Sequence, residues 1–211
     1  MDLFSLKGKT AVVTGALGLI GRKHCEALAS AGANVIVADI NAEETKAFAA
    51  QLGDNHLGLG VDVTSKDSLI DALNATLDQY DAVDILVNNA AINDKFENPA
   101  MAKELSAFEN YPLEAFQQSL NVNITGVFLC SQVFGTHMAL QRSGSIINIA
   151  STYGMVGPDQ SIYRDSLGQQ TFYKSAAYPV TKGAIINFTR FFSSLLGPYR
   201  REGKYPFSGR R

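Results

Sequence analysis

Apolar and polar residues follow two patterns along the chain, one typical of strands and one typical of helices. Short, mostly apolar runs are typical of strands buried on both faces of a sheet, and they cover residues 9–15, 33–40, 57–63, 83–90 and 144–150. Elsewhere apolar residues recur every three or four positions. This spacing predicts amphipathic helices over residues 18–32, 41–53, 65–80, 112–141 and 176–196.

The regular alternation of strands and helices predicts the fold class. It implies right-handed crossover connections, and therefore an α/β fold with a doubly wound parallel sheet between two layers of helices. Asn41 and Ser65 are the expected N-caps of two helices, and Gly53 is the expected end of one. Two segments break the rhythm, because residues 92–111 are polar and irregular and residues 152–174 form an unusually long loop.

Composition narrows the class of protein. The 211 residues suffice for one domain, and the net charge of −2 offers no basic surface for nucleic acid or an anionic membrane. No apolar run reaches the roughly 18 residues of a membrane span, and the N-terminus lacks a secretory pattern. Cys25 and Cys130 are expected to be buried thiols in a reducing cytosol, so we expect a cytoplasmic protein. His24, His56 and His137 show no metal-ligand spacing, so no metal site is expected.

A glycine-rich turn follows the first predicted strand, with glycines at positions 15, 18 and 21. Gly15 can adopt positive φ and let the main chain approach a pyrophosphate. The free N–H groups at the start of the next helix favour phosphate, and they belong to Gly18, Leu19, Ile20 and Gly21. The alternative is a glycine turn that holds no ligand.

Asp39 ends the second predicted strand, where an acidic residue can bond ribose hydroxyls. Its carboxylate would repel a 2′-phosphate, which favours NAD over NADP. Arg22 could favour NADP, because its positive charge would attract a 2′-phosphate, but we interpret it as a solvated helix residue. The alternative role for Asp39 is a helix cap at the strand–helix turn.

Tyr178 and Lys182 are four residues apart in the motif "YPVTK", so a helix places them on one face. The ammonium favours the phenolate form of the tyrosine. Such a tyrosine can take a proton from an alcohol or return it to a ketone near neutral pH. The alternative is a surface pair.

Several segments in order give the chain a family resemblance. They are "TGALGLIG", "VDV" at 61–63, "NNAA" at 88–91, "NVNITGVF" at 121–128, "GSIINIAS" at 144–151 and "YPVTK". From residue 5 to about 199, the chain resembles the single-domain short-chain dehydrogenase/reductase family, whose fold is Rossmann-like. Two segments, "GLIGRKHCEAL" and "FYKSAAYPVTKGAI", resemble bacterial oxidoreductases of flagellin modification or polysaccharide biosynthesis.

The resemblance implies a catalytic set. Tyr178 would be the acid/base, and Lys182 would bond the nicotinamide ribose and favour the tyrosine phenolate. Ser151 would bond the substrate oxygen. Asn123 would hold a water in a proton relay through a local break in its helix, with Asn121 the less favoured choice.

The resemblance also implies the cofactor contacts and the reaction. Asp62 and Val63 would meet adenine, and Asn89 would line the adenosine side. The reaction would be hydride transfer between NAD and a secondary alcohol or ketone, with a polar, sugar-like substrate. Relatives often pair through the helix at 112–141 and the "YPVTK" helix, so a homodimer or homotetramer is expected of full-length members.

Two internal features depart from the family. The glycine spacing is typical of two-domain members, which include sugar-nucleotide epimerases, but the chain is too short for their second domain. An insert, residues 157–176, separates Ser151 from Tyr178. It would offer a hydrophilic substrate polar and aromatic side chains, namely Asp159, Tyr163, Tyr173 and Lys174. The alternative is a solvated surface loop.

The last twelve residues are the third departure. Members of the family continue with sequences such as G-V-R-V-N-T-L-S-P-G-G-V, whereas residues 200–211 of this chain are R-R-E-G-K-Y-P-F-S-G-R-R. One DNA sequence encodes the first string and, after a single inserted base, the second. We expect residues 1–199 to form an NAD-binding domain with its sheet truncated at the C-terminal end, and residues 200–211 to be a frameshift product. The alternative to an active enzyme is then an inactive NAD-binding remnant, and the coding DNA tests the frameshift.

Overall fold

Five parallel strands form the central sheet of the computed structural model. It describes the backbone of residues 3–93 and 99–202 and the side chains of residues 3–93 and 103–195. The strands lie in the order β3-β2-β1-β4-β5. They are β1 (Thr10–Thr14), β2 (Asn34–Asp39), β3 (Leu57–Gly60), β4 (Ile85–Asn88) and β5 (Ser145–Asn148).

Helices connect the strands and cover both faces of the sheet. They are α1 (Leu19–Ser30), α2 (Ala42–Leu52), α3 (Lys66–Tyr80), α4 (Pro99–Ser106), α5 (Leu113–Leu120), α6 (Gly126–Leu140) and α7 (Ala177–Glu202). A π-helical turn, Asn121–Thr125, joins α5 to α6 without a break in the chain direction. The predicted doubly wound, Rossmann-like α/β fold is therefore confirmed.

Alternate residues of β1 enter two separate cores. Val12 packs with Ile36 and Leu86 on the face covered by α3 and α6. Val13 packs on the other face with Val37 and with side chains of α1 and α2. The parallel register pairs Val12 with Ile36 and Val13 with Val37, so each face stays continuous across neighbouring strands. The nearly unbroken apolar runs are thus explained by burial on both faces.

Local signals place the helix ends. The Asn41 side chain accepts a hydrogen bond from the Glu44 main chain at 3.1 Å, and Ser65 accepts one from Ser68 at 3.3 Å. Both predicted N-caps are confirmed, and α2 ends before Gly53, which has φ of 132°. These side chains satisfy main-chain N–H groups that the first helical turn leaves unpaired.

Two element predictions were wrong. The third strand ends at Gly60 rather than at residue 63, because the Asp62 carboxylate accepts hydrogen bonds from the Thr64 main chain and hydroxyl at 2.8 and 2.7 Å. This local turn draws the chain out of the sheet. Residues 92–111 are not wholly irregular, since they contain α4 and a short 3₁₀ turn over Phe108–Asn110. The segment "PAMAKELS" begins with proline and continues with good helix formers, a signal that its polarity masked.

The last helix extends beyond its predicted end at residue 196 and beyond the predicted domain boundary at residue 199, to Glu202. Residues 203–211 lie outside the described residues, so the predicted boundary and the frameshift hypothesis stay predictions. Within the described part of the chain, no helix is both long and apolar enough to cross a membrane.

Candidate active site

The carboxyl ends of the five strands share one edge of the sheet, and the strand order reverses there between β1 and β4. Such a switch point opens a crevice in which doubly wound sheets bind ligands. The predicted site residues at or just after the strand ends at this edge are Gly15, Asp62, Val63, Asn89 and Ser151, with Asp39 as the last residue of β2.

The glycine turn requires two of its three glycines. Gly15 has φ of 62°, and a Cβ there would lie 2.6 Å from the Ala90 Cα across the switch point. A Cβ on Gly21 would collide with the Gly15 carbonyl oxygen and Ala16. Gly18 differs, because its φ is −68° and a Cβ would meet only the Gly15 oxygen at 3.4 Å. Close packing therefore explains Gly15 and Gly21 but not Gly18.

The turn leads directly into α1, with Gly18 as its N-cap. The Arg22 N–H makes the first intrahelical bond, to the Gly18 oxygen at 3.0 Å. The N–H groups of Leu19, Ile20 and Gly21 precede it, so the helix itself offers them no acceptor. The Leu19 side chain is 86% exposed, so the surface around this helix start is open. The helix dipole and these donors together favour a phosphate.

Asp39 bonds to the glycine turn. Its carboxylate accepts hydrogen bonds from the Leu17 N–H at 3.0 Å and the Ile40 N–H at 2.8 Å. Asn41 caps α2, so the alternative of Asp39 as that cap is wrong. The carboxylate is thus fixed beside the turn that would hold a dinucleotide.

Arg22 is engaged by the protein rather than merely solvated. Its Nε donates to the Leu17 oxygen at 3.1 Å, and its guanidinium pairs with Glu44 at 2.5 Å. It also lies 4.5 Å from the centroid of the Phe48 ring. These contacts hold the guanidinium against α2.

Asn89 fixes the opposite side of the crevice. Its Nδ2 donates to the Thr14 and Gly15 carbonyl oxygens at 3.0 and 2.9 Å. The Thr14 hydroxyl in turn accepts from the Asn89 and Ala90 N–H groups at 3.2 Å. Sequence reasoning missed Thr14, although a hydroxyl residue directly before the first glycine was a visible signal.

Asp62 and Val63 follow the end of β3 in the turn that leads to α3. Asp62 is exposed and shapes the turn after the strand through Thr64. Val63 is half-buried and packs against the first residue of α6, since a Cβ on Gly126 would come 2.8 Å from its Cγ2. The two residues therefore form the rim of the crevice beyond Asp39.

Tyr178 and Lys182 lie on the first turns of α7. The Lys182 Nζ lies 5.8 Å from the centroid of the Tyr178 ring and donates to the Ile149 oxygen at 2.6 Å. Lys182 is only 5% exposed, which excludes the alternative of a surface pair. Burial lowers the pKa of this ammonium, because desolvation disfavours its charged form.

Ser151 follows β5 and caps a 3₁₀ turn over Thr152–Gly154. Its Oγ accepts from the Tyr153 N–H at 3.2 Å, which leaves the hydroxyl proton to be donated elsewhere. The turn presses on α7, since a Cβ on Gly154 would lie 2.6 Å from the Lys182 oxygen. Ser151 and Lys182 are thereby held in one neighbourhood.

Asn123 lies in the π-helical turn, so the helix departs from α-helical hydrogen bonding at the residue where a local break was predicted, although the chain stays helical. Its side chain is 1% exposed. Oδ1 accepts from the Ile92 N–H at 2.8 Å, and Nδ2 donates to the Ile92 oxygen at 2.9 Å and to the Thr181 hydroxyl at 3.2 Å. Both amide atoms are thus used to join the segment after β4 to α7. Sequence reasoning missed Ile92 and Thr181 as its partners.

The insert is folded rather than a free loop. The Gln160 amide donates to the Lys174 oxygen at 3.0 Å and accepts from the Lys174 N–H at 2.9 Å, which closes the insert at its base. The Tyr173 N–H donates to the buried Ser106 hydroxyl of α4 at 2.9 Å. Asp159 caps a 3₁₀ turn, and the Tyr163 hydroxyl lies 3.4 Å from that of Tyr153.

One insert side chain reaches the predicted acid/base. The Lys174 Nζ lies 4.5 Å from the centroid of the Tyr178 ring and donates to the Asn93 Oδ1 at 2.5 Å. The interpretation of the insert as a solvated loop is therefore wrong for this end of it. Among the side chains that the structure describes, no three His, Cys, Asp or Glu residues converge as metal ligands do.

The profile of the family described as short chain dehydrogenase matches residues 9–200 of the chain. The chain belongs to the short-chain dehydrogenase family. The resemblance to this family is thus confirmed, while the narrower likeness to flagellin-modification and polysaccharide enzymes stays a prediction.

Named members of the short-chain dehydrogenase family resemble the chain over most of its length. D-threitol dehydrogenase of Mycolicibacterium smegmatis is 37% identical over 162 residues, 75% of this chain and 58% of that protein. Sorbitol dehydrogenase of Cereibacter sphaeroides is 33% identical over 186 residues, 88% of this chain and 66% of that protein. The crystal structure of NAD⁺-bound xylitol dehydrogenase matches with a TM-score of 0.76 and 30% identity, over 92% of this chain and 66% of that one. The chain thus spans about three fifths to two thirds of the length of these proteins.

Proposed function

We propose that the protein transfers a hydride between NAD and a secondary alcohol or ketone. The observation that carries this proposal is the placement of Tyr178 and the buried Lys182 against the end of β5, beside Ser151. A tyrosine next to an ammonium can act as a general base or acid near neutral pH.

The residues at the crevice fit a dinucleotide. The first N–H groups of α1 would hold the pyrophosphate, and the Asp39 carboxylate beside them would bond the ribose hydroxyls of the adenosine half. Asp39 would also repel a 2′-phosphate, and Arg22, the cation beside it, pairs with Glu44. The site therefore favours NAD, which is also the cofactor bound in the structure of the related xylitol dehydrogenase.

The catalytic residues would have separate roles at the other end of the crevice. Bound NAD would supply the hydride acceptor or donor. Ser151 would donate its free hydroxyl proton to the substrate oxygen, and Tyr178 would take or return the proton of that oxygen. Lys182 has donors beyond the one that bonds Ile149, and these would meet the nicotinamide ribose. Because the Asn123 amide is occupied by Ile92 and Thr181, a relay water would need another atom of that residue.

A polyol or another sugar-like alcohol is the proposed substrate class. Threitol, sorbitol and xylitol dehydrogenases are among the similar proteins. The insert adds polar groups beside the site, since Lys174 contacts the Tyr178 ring and the insert's Tyr163 hydroxyl lies beside the hydroxyl of Tyr153, two residues after Ser151. Such groups recognise hydroxylated rather than apolar substrates.

The test is NAD-dependent oxidation of a series of polyols, followed by NADH absorbance, with the variant Tyr178→Phe. We expect this variant to lose about a hundredfold or more in kcat, the usual range for a lost general base, while NAD affinity changes little. Tyr80→Phe is the matched control, because Tyr80 ends α3 and bonds the Asn55 oxygen before β3, at the edge of the sheet opposite the carboxyl ends of the strands. Turnover by Tyr178→Phe at the wild-type rate would refute the assignment.

A further inference from the structure

Lys174 gives the Tyr178 ring a second ammonium. We propose that Lys174 is a positioning residue for the acid/base, which holds the Tyr178 ring and favours its phenolate form. This proposal rests on the proposed function of Tyr178. Lys174 belongs to the insert, so this part of the site is a feature of this chain rather than of the motif "YPVTK".

The two lysines meet the ring from different parts of the chain. The Lys182 Nζ lies 5.8 Å from the ring centroid and comes from the next turn of α7. The Lys174 Nζ lies closer, at 4.5 Å, and comes from the segment that precedes α7. A cation over a ring face is attracted by the π electrons, and a phenolate ring carries more negative charge than a phenol. The attraction therefore favours the ionised tyrosine.

The protein fixes the position of the Lys174 ammonium. Its main chain is bonded in both directions to the Gln160 amide, at 3.0 and 2.9 Å. Its Nζ also donates to the Asn93 Oδ1, so the side chain is anchored at its ammonium as well as at its main chain. A cation fixed before reaction costs no reorganisation when the phenolate forms.

The same contacts join Lys174 to the rest of the site. Asn93 adjoins Ile92, whose N–H and oxygen both bond the buried amide of Asn123. Asn123 also bonds Thr181, one turn from Tyr178 on α7. Lys174 is thus connected through the segment after β4 and the π-helical turn to the turn of α7 that carries Tyr178. Loss of the Lys174 ammonium would therefore remove a positive charge and also make the Tyr178 ring less firmly held.

The experiment compares Lys174→Met and Lys174→Gln, which lose the charge, with Lys174→Arg, which keeps it. In polyol oxidation at neutral pH we expect both neutral variants to lose about twofold to fivefold in kcat, the range of a cation–π contact at an exposed site, with a smaller change in KM. Lys174→Arg is expected to recover kcat to the wild-type value, because a guanidinium also binds over a ring face. Lys23→Met is the matched control, since Lys23 is an exposed lysine of α1 paired with Glu26.

A second readout needs neither NAD nor substrate. Tetranitromethane nitrates tyrosine through the phenolate, and mass spectrometry can follow the peptide that contains Tyr178. We expect slower nitration of Tyr178 in both neutral variants and near wild-type nitration in Lys174→Arg and Lys23→Met. If Lys174→Met melts below the assay temperature, Lys174→Gln carries the comparison.

The outcomes separate the two proposals. Absence of polyol oxidation by the wild-type chain would count against the proposed function, and the nitration rates would still decide the role of Lys174. Equal nitration and equal kcat in the neutral variants and the wild type would overturn the positioning role. An equal loss in Lys174→Arg and Lys174→Met would also overturn it, because the charge would then not matter.

Discussion

At the scale of single residues, the polar side chains of the crevice bond to main-chain groups as well as facing the site. Asp39 accepts from Leu17, and Asn89 donates to Thr14 and Gly15. Their places after strands were predictable, because strand ends at one edge of a parallel sheet must converge. Their partners were not, because the Asn123 contacts with Ile92 and Thr181 join residues 31 and 58 positions apart.

The charge of Asp39 leads to a prediction about cofactor preference. Asp39→Asn keeps one oxygen that can accept from the Leu17 N–H and removes the negative charge that opposes a 2′-phosphate. It loses the oxygen that accepts from the Ile40 N–H, but that bond is exposed and water can replace it. We expect the ratio of NAD to NADP affinity to fall by about tenfold or more, which corresponds to about 1.4 kcal/mol, with little change in stability. Binding constants for the two cofactors, measured by calorimetry, check this.

The control for that variant is Glu43→Gln on α2. Glu43 is an exposed carboxylate on a nearby helix, with a side chain that is 89% exposed. Glu43→Gln also removes one negative charge, but at a position where solvent screens that charge. An unchanged cofactor ratio in Asp39→Asn, or an equal change in Glu43→Gln, would show that the Asp39 carboxylate does not select NAD.

At the scale of elements, the order and type of the strands and helices followed from periodicity and caps. The exceptions have local causes that a hydrophobic pattern does not record. Asp62 bonds Thr64 and ends β3 early, and the short α4 carries too few apolar positions to show a helical period. The folding of the insert depends on Gln160 and Lys174, which are fourteen residues apart, so its form could not be predicted from neighbouring residues.

The β1–α1 turn gives a prediction about glycine. Gly21→Ala would push a Cβ into the Gly15 oxygen and Ala16, both main-chain atoms that cannot move aside cheaply. We expect a loss of about 1–3 kcal/mol in the free energy of unfolding, the usual cost of overpacking, together with weaker NAD binding. Urea unfolding measures the first and calorimetry the second.

Gly18→Ala is the matched control in the same turn. Its Cβ would meet only the Gly15 oxygen, at an ordinary contact distance of 3.4 Å, and its φ of −68° suits any residue. Alanine is a poorer N-cap, so we expect a cost below about 1 kcal/mol. Equal destabilisation by the two variants would contradict the packing argument for Gly21.

At the scale of the whole molecule, the sheet separates two apolar layers, and each contains one cysteine. Cys25 of α1 lies in the core that includes Val13 and Phe48, and Cys130 of α6 lies in the core that includes Val12 and Phe134. Both thiols are buried, as their positions in apolar helix patterns predicted. Since β1 supplies side chains to both layers, the two layers are expected to unfold together.

The thiols test this expectation directly. Burial raises the pKa of Cys25 and of Cys130 to about 12 from an ordinary value of 9.0, and the charge of Glu26 adds to the effect at Cys25. The native thiols should therefore react negligibly with iodoacetamide at pH 8, while both should react at the same urea concentration as the sheet unfolds. Mass spectrometry of the two cysteine peptides across a urea series measures this.

The pH dependence has a definite sign. Above pH 9.0 the unfolded thiols lose their protons while the folded ones keep them, so the unfolded state binds fewer protons and the free energy of unfolding falls as pH rises from 9.0 towards 12. The variants Cys25→Ala and Cys130→Ala each remove one of the two contributions and should flatten this decline by comparable amounts. Alkylation of one thiol at a lower urea concentration than the other would show that the two layers open separately, against the argument from β1. Stability that stays constant above pH 9.0 would show instead that the thiols are accessible in the folded protein.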